Sequence, residues 1–168
     1  CHSNVELDFG WATSFCRKLA SAVKALHDHN FIHRDLKGMN VLVSDDREPR
    51  LIDFGVATLD NLRHPGEVAV GSKPWIAPEA FNHRLPTKAS DIYSLGLVFH
   101  ELTSRETPPR TFFHISSGLI TDLSTHVVNY SPKLAALIVY FCCNPDPQKR
   151  PTIDVVEKIL ISLEQNPQ

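Results

Sequence analysis

Three oxygen-bearing side chains are the candidates for chemistry: Asp35, Asn40 and Asp53. Asn40 immediately precedes the apolar run Val41 to Val43, and Asp53 closes the run that begins at Arg50, with the polar turn "SDDREP" between the two runs. Paired as an antiparallel hairpin, the runs bring Asn40 and Asp53 to one end, because neighbouring strands lie about 4.8 Å apart. Two hard oxygen donors at that spacing can share or divide Mg²⁺ ions, which take one or two protein oxygens beside phosphates and waters. Asp35, five residues before Asn40 on the same loop, would lie close by. On residue type alone, Asp and Asn near a loop are more often caps and turn formers than metal ligands. Proximity by itself leaves that structural reading ahead.

The elements that must hold these groups are mostly helices. Phe15, Leu19, Val23 and Leu26 recur at helical spacing between Thr13 and His29, and Asn30 suits a left-handed helix end. "FIHRDLKGMN" reads as a loop, followed by the hairpin of Val41 to Val43 and Arg50 to Asp53. From Phe54 to Glu79, the punctuation by Gly55, Pro65, Gly66, Gly71, Pro74 and Pro78 predicts an extended surface loop. Ser90 is expected to cap a helix through Ile92, Leu95, Phe99 and Leu102. Ser131 and Pro132 open another through Leu134, Leu137 and Tyr140, and Thr152 caps a last one through Ile153, Val156, Leu160 and Leu163. The expected fold is mainly α with one small β-hairpin, ending in the polar tail "EQNPQ".

Composition narrows the function classes. With 168 residues and 42% hydrophobic content, the chain suits one compact unit over residues 1–168. Seventeen Lys plus Arg against 19 Asp plus Glu give a net charge of −2, which removes any global argument for nucleic acid or an anionic membrane. No apolar run approaches the roughly 20 residues of a membrane span, and Cys1 to Asp8 lack a signal pattern. An intracellular, cytoplasmic protein is expected. Cys1, Cys16, Cys142 and Cys143 form no CxxC metal pair, and reduced, buried thiols are the expectation. The histidines show no HExxH spacing. Beginning at Cys1 and not at Met, the chain reads as a fragment.

The run "HRDLKGMN" from His33 to Asn40, followed by "DFG" from Asp53 to Gly55, resembles the catalytic and magnesium loops of eukaryotic protein kinases. "APE" at Ala77 to Glu79, "DIYSLG" from Asp91 to Gly96 and "NPDPQKRPT" from Asn144 to Thr152 follow in family order. The resemblance covers almost the whole chain, as the C-terminal lobe of a kinase domain. It implies ATP and Mg²⁺ as cofactors and a protein hydroxyl as substrate. Asp35 would accept or orient the substrate proton, Lys37 would sit near the γ-phosphate, and Asn40 and Asp53 would hold Mg²⁺. Leu42 would form part of the adenine floor. Lys37, two residues after Asp35, and Ser72 resemble the Ser/Thr-directed pattern, while Trp75 and Ile76 look more like the tyrosine-kinase-like branch. Dual specificity stays open. Structural roles are implied for others: an ion pair of Glu79 with Arg150, a carboxylate at Asp91 that accepts backbone bonds from His33 and Arg34, and Phe54 packed beside a buried His33.

The sequence departs from that pattern in two ways. Arg34 would ordinarily face a phosphorylated residue, yet Thr58 is the only Ser or Thr between Gly55 and Gly71, and Val68 beside Glu67 occupies the usual site. Glu67 is a candidate substitute anion; the plainer reading is a solvated loop residue. A glycine-rich phosphate loop, a "VAIK" lysine and its glutamate do not occur in the 168 residues, so the N-terminal β lobe is expected to be absent and the chain inert alone. The competing function is a non-catalytic scaffold or interaction module. A small-molecule kinase is disfavoured by "APE", Asp91 and Arg150.

Overall fold

A computed structural model describes residues 8–62, 71–81, 85–108 and 131–166. The first helix, α1 (Phe9–Asp28), begins before the expected Thr13 because Asp8 caps it, its Oδ1 accepting from Gly10 N at 3.1 Å. Gly10 in the first turn lowers the helical signal there without preventing the helix. The other end behaves as expected, with Asn30 at φ 60°. Polar bonds join α1 to the last helix, α5 (Ile153–Gln165): Arg17 to Glu164 at 2.6 Å, Lys24 to Asp154 at 2.6 Å and Ser21 to Glu157 at 2.5 Å. Thr152 occupies the N-cap of α5, but its side chain makes no cap bond. The expected tail is shorter than "EQNPQ", since α5 includes Glu164 and Gln165.

The central element is α3 (Lys88–Ser104), buried without interruption from Ser90 to His100. A helix enclosed on every side is what a core helix requires. Its cap differs from the expectation: Thr87 is the N-cap and Ser90 is the third helical residue, its Oγ accepting from Thr87 N at 3.0 Å. The short α4 (Pro132–Ala136) opens as expected, with Ser131 Oγ accepting from Leu134 N at 3.2 Å. It then widens into a π turn over Leu137–Cys142. The widening buries Leu137, Ile138 and Val139 in succession and leaves Tyr140, expected on the apolar stripe, 63% exposed. Three adjacent apolar residues carry no 3.6-residue period, so this turn is invisible to pattern reading. Gly96 lets α3 approach it: a Cβ there would lie 2.6 Å from Cys142 Cβ and 2.9 Å from Cys143 Sγ. Cys16, Cys142 and Cys143 are free, buried thiols, and burial pushes Cys143 up to about 12; Cys1 lies outside the described residues.

The expected hairpin is present, and a second small antiparallel sheet accompanies it. In one, β2 (Val41–Val43) pairs with β3 (Pro49–Leu51), so the second strand stops short of Asp53. In the other, β1 (Phe31–Ile32) pairs with β4 (Thr58–Leu59), Phe31 opposite Leu59 and Ile32 opposite Thr58. Part of the expected surface loop is therefore strand. Its end is core, because Trp75, Ile76 and Ala77 are buried just before α2 (Pro78–Phe81). Long-range pairing and apolar burial override the local turn signals.

Candidate active site

The loop between β1 and β2 is fastened from beneath by one carboxylate. Asp91, in the first turn of α3, accepts from His33 N at 2.8 Å and from Arg34 N at 3.0 Å, and meets His27 Nε2 at 3.0 Å. These bonds hold Arg34 at φ 69°, a left-handed conformation that persists only where the surroundings over-determine it. Arg34 Nε donates to Val56 O at 2.5 Å. Glu67, the candidate substitute anion for Arg34, and Val68, at the usual phosphorylation position, lie outside the described residues. His33 is fully buried, with Nε2 at 3.3 Å from Ile52 O and Nδ1 accepting from Asp35 N at 3.4 Å. Its ring lies 5.2 Å from that of Phe54. With both nitrogens on backbone groups, His33 is a packing residue.

The loop presents a compact polar cluster. Lys37 Nζ donates to Asp35 Oδ2 at 2.7 Å and to Ser72 Oγ at 2.7 Å. Asn40, last residue of the 3-10 turn Gly38–Asn40, donates through Nδ2 to Asp35 O at 2.8 Å and to Asp35 Oδ2 at 3.2 Å. Asp35 Oδ1 is buried and has no hydrogen-bond partner among the described residues. Burial pushes the Asp35 carboxyl up, but hydrogen bonds from Lys37 and Ser72, the Lys37 charge and Asn40 outweigh it and hold it below its ordinary 3.8. At neutral pH the cluster is a carboxylate with one oxygen clamped and the other buried and unpaired among the described residues.

The hairpin register places the remaining residues. Val41 stands opposite Leu51, and Ile52 N donates to Asn40 O at 2.9 Å, so Asp53 follows directly beside Asn40 in the chain path. Asp53 is exposed, at φ 61°, with Oδ1 accepting from Gly55 N at 3.3 Å, and forms no hydrogen bond with the cluster. Leu42 is 53% exposed, and Val43 and Phe54 are exposed as well. Among the described residues no group of three His, Cys, Asp or Glu could hold a metal ion alone. Asn40 and Asp53 supply hard oxygens, and Asp35 Oδ1 adds an acceptor. Such a donor set fits Mg²⁺ only with phosphate and water oxygens completing the shell.

The segment leading to α2 is tied down separately. Arg150 donates to both oxygens of Glu79, NH1 to Oε1 at 2.6 Å and NH2 to Oε2 at 2.8 Å, with its side chain fully buried. It also reaches Ala89 O at 2.9 Å and Asn144 O at 2.7 Å, and lies over the Tyr93 ring at 4.9 Å. Ser90 Oγ adds a bond to Glu79 Oε1 at 2.8 Å. One contact was not legible in the sequence: Trp75 Nε1 donates to Glu101 Oε2 at 3.2 Å. An acidic side chain near the end of an otherwise enclosed helix was the available signal.

The protein kinase domain family model matches residues 3–160. A probable serine/threonine-protein kinase of Dictyostelium discoideum is 32% identical over 146 residues, 86% of this chain and 11% of the relative. Serine/threonine-protein kinase dst2 of the same organism is 32% identical over 160 residues, 89% of this chain and 14% of its own length. Probable serine/threonine-protein kinase zyg-1 of Caenorhabditis briggsae is 39% identical over 109 residues, 61% and 15% respectively. The chain thus spans a small part of each of these relatives. With the motifs in order, the loop fastened to α3 and the family model matched over most of its length, the chain belongs to the protein kinase domain family.

Proposed function

We propose that the chain is the C-terminal, catalytic lobe of a serine/threonine protein kinase, over residues 1–168, and transfers the ATP γ-phosphate to a protein hydroxyl when completed by an N-terminal lobe. The observation that carries this reading is Lys37 Nζ bridging Asp35 Oδ2 and Ser72 Oγ, which leaves Asp35 Oδ1 a buried acceptor with no partner among the described residues. A substrate hydroxyl donating to that oxygen would be turned for in-line attack, the step on which phosphoryl transfer chiefly depends. Asp35, clamped below its ordinary value, serves first as an orienting group and takes the proton late. Lys37 would offer its charge to the transferring phosphate. Asn40 and Asp53 would hold Mg²⁺, which when bound neutralises charge developing on the phosphates. Leu42, exposed on the hairpin, would lie under the adenine.

Lys37 and Ser72 support phosphoryl transfer to a Ser or Thr hydroxyl. Free, buried thiols support a reducing, cytoplasmic setting, and no helix among the described residues is long and apolar enough to cross a membrane. The test is ATP- and Mg²⁺-dependent phosphorylation of a generic basic protein by the 168-residue chain, the full-length transcript product and its Asp35→Asn variant. Activity in the unmutated longer form alone is expected. Inactivity of every form would favour the interaction-module reading.

A further inference from the structure

Sulfur is divided unevenly between core and surface. Cys16, Cys142 and Cys143 are 0% exposed, and burial pushes each thiol above its ordinary 9.0, so none presents the thiolate that reacts with an oxidant. The chain contains a single methionine, Met39, which at 77% exposure is the most open of the large apolar residues described. The turn that carries it is fixed on both sides. Gly38 closes on α3 with no room for a side chain, since a Cβ there would lie 2.5 Å from Glu101 Oε2. Asn40, 5% exposed, donates through Nδ2 to Asp35 O at 2.8 Å and to Asp35 Oδ2 at 3.2 Å, and its N donates to Lys37 O at 3.0 Å. With both neighbours held inward, the 3-10 turn leaves Met39 out in solvent, one residue from the polar cluster. An apolar side chain so exposed contributes little to the stability of the lobe.

We propose that Met39 is an oxidation site, at which a hydroperoxide converts the thioether to the sulfoxide and thereby weakens the docking of a protein substrate beside Asp35. The step transfers one oxygen atom and two electrons. The sulfur lone pair attacks a peroxide oxygen, and an S–O bond forms as the O–O bond breaks. The proton of the transferred oxygen passes to the departing one, which leaves as water or an alcohol. Sulfur is oxidised and the peroxide reduced, and the product has a polar, chiral side chain where a flexible apolar one stood. The consequence for substrate rests on the kinase reading of the Asp35 cluster; the oxidation itself does not.

Peptide mapping by mass spectrometry, after treatment of the 168-residue chain with hydrogen peroxide, reads each sulfur separately. Met39 should gain one oxygen at a rate within about threefold of that of N-acetylmethionine amide, while Cys16, Cys142 and Cys143 are recovered as thiols. Slowing of Met39 by about tenfold or more against that reference, or oxidation of the three thiols ahead of it, would overturn the assignment. In the full-length transcript product, peroxide should raise KM for the protein substrate about threefold to tenfold with KM for ATP unchanged, the weakening that loss of one apolar contact brings. The two methionine sulfoxide reductases, one for each epimer, should together restore the original KM. Met39→Gln, which places a polar amide there, should show the raised KM without oxidant, and Met39→Leu should not respond to peroxide. A KM that peroxide leaves unchanged, or that rises equally in Met39→Leu, would overturn the regulatory role. If the unmutated product is itself inactive, the kinase reading fails and the peptide map still decides the oxidation site.

Discussion

Lys37 shows how one side chain can organise a site without being its reacting group. Its ammonium takes one Asp35 oxygen and the Ser72 hydroxyl, and the other Asp35 oxygen is left buried and unpaired among the described residues. Replacing Asp35 by Asn removes the charge and, with the amide oxygen kept on Lys37 and Asn40, puts an NH2 donor where that acceptor stood. In the full-length transcript product, Asp35→Asn is expected to lower kcat by about 10²- to 10⁴-fold, measured by phosphate transfer to a protein substrate. Arg150 has a different weight. Both guanidinium nitrogens NH1 and NH2 are on Glu79, and the pair is closed from solvent. Arg150→Leu strands the Glu79 carboxylate and is expected to cost about 3 to 5 kcal/mol in denaturant unfolding of this chain. Replacing both partners by apolar residues should cost less, since no charge is then left alone.

Among the elements, α3 carries the site from below and the π turn packs against its middle. Gly96 is where they touch, and Cys142 and Cys143 fill the space a side chain would need. Gly96→Ala should overpack this contact and destabilise by about 1 to 3 kcal/mol, read as a lowered thermal midpoint. The hairpin contributes by register alone. Pairing of Val41 with Leu51 carries Asn40 and Asp53 to one end, while the left-handed backbone at Asp53 turns the chain out of the strand direction. The second sheet, β1 with β4, joins the chain just before "HRDLKGMN" to the segment after "DFG".

For the whole molecule, acid is the informative stress. The Glu79 carboxyl is pushed up by burial but held below its ordinary 4.5 by Arg150 and Ser90. A depressed carboxyl stabilises the fold fully above its unfolded value and progressively less as pH falls through the folded one. Stability from Glu79 is therefore expected to be lost progressively on acidification below 4.5, and fully only below its depressed folded value. Glu101, raised by burial, contributes with the opposite sign, since its folded form is the easier to protonate. Urea midpoints measured down the acid range should fall, and the fall should be smaller when Glu79 and Arg150 are both replaced by apolar residues.

The sequence by itself determined the family, the helical class and the residue types of the site, because each rests on local chemistry. "HRDLKGMN" and "DFG" name their own loops, Ser131 caps its helix, and Asn30 ends one in the only conformation that suits it. Tertiary structure decided what depends on partners distant in the chain. Two-residue strands such as β1 and β4 are too short to have a period and exist only because they pair. The π turn exists because α3 offers Gly96 opposite Cys142 and Cys143. Trp75 to Ala77, punctuated like a surface loop, are core because apolar burial outweighs a turn signal. Glu101 meets Gly38 and Trp75 because the fold brings three separate segments to one carboxylate, and no sequence spacing encodes that meeting.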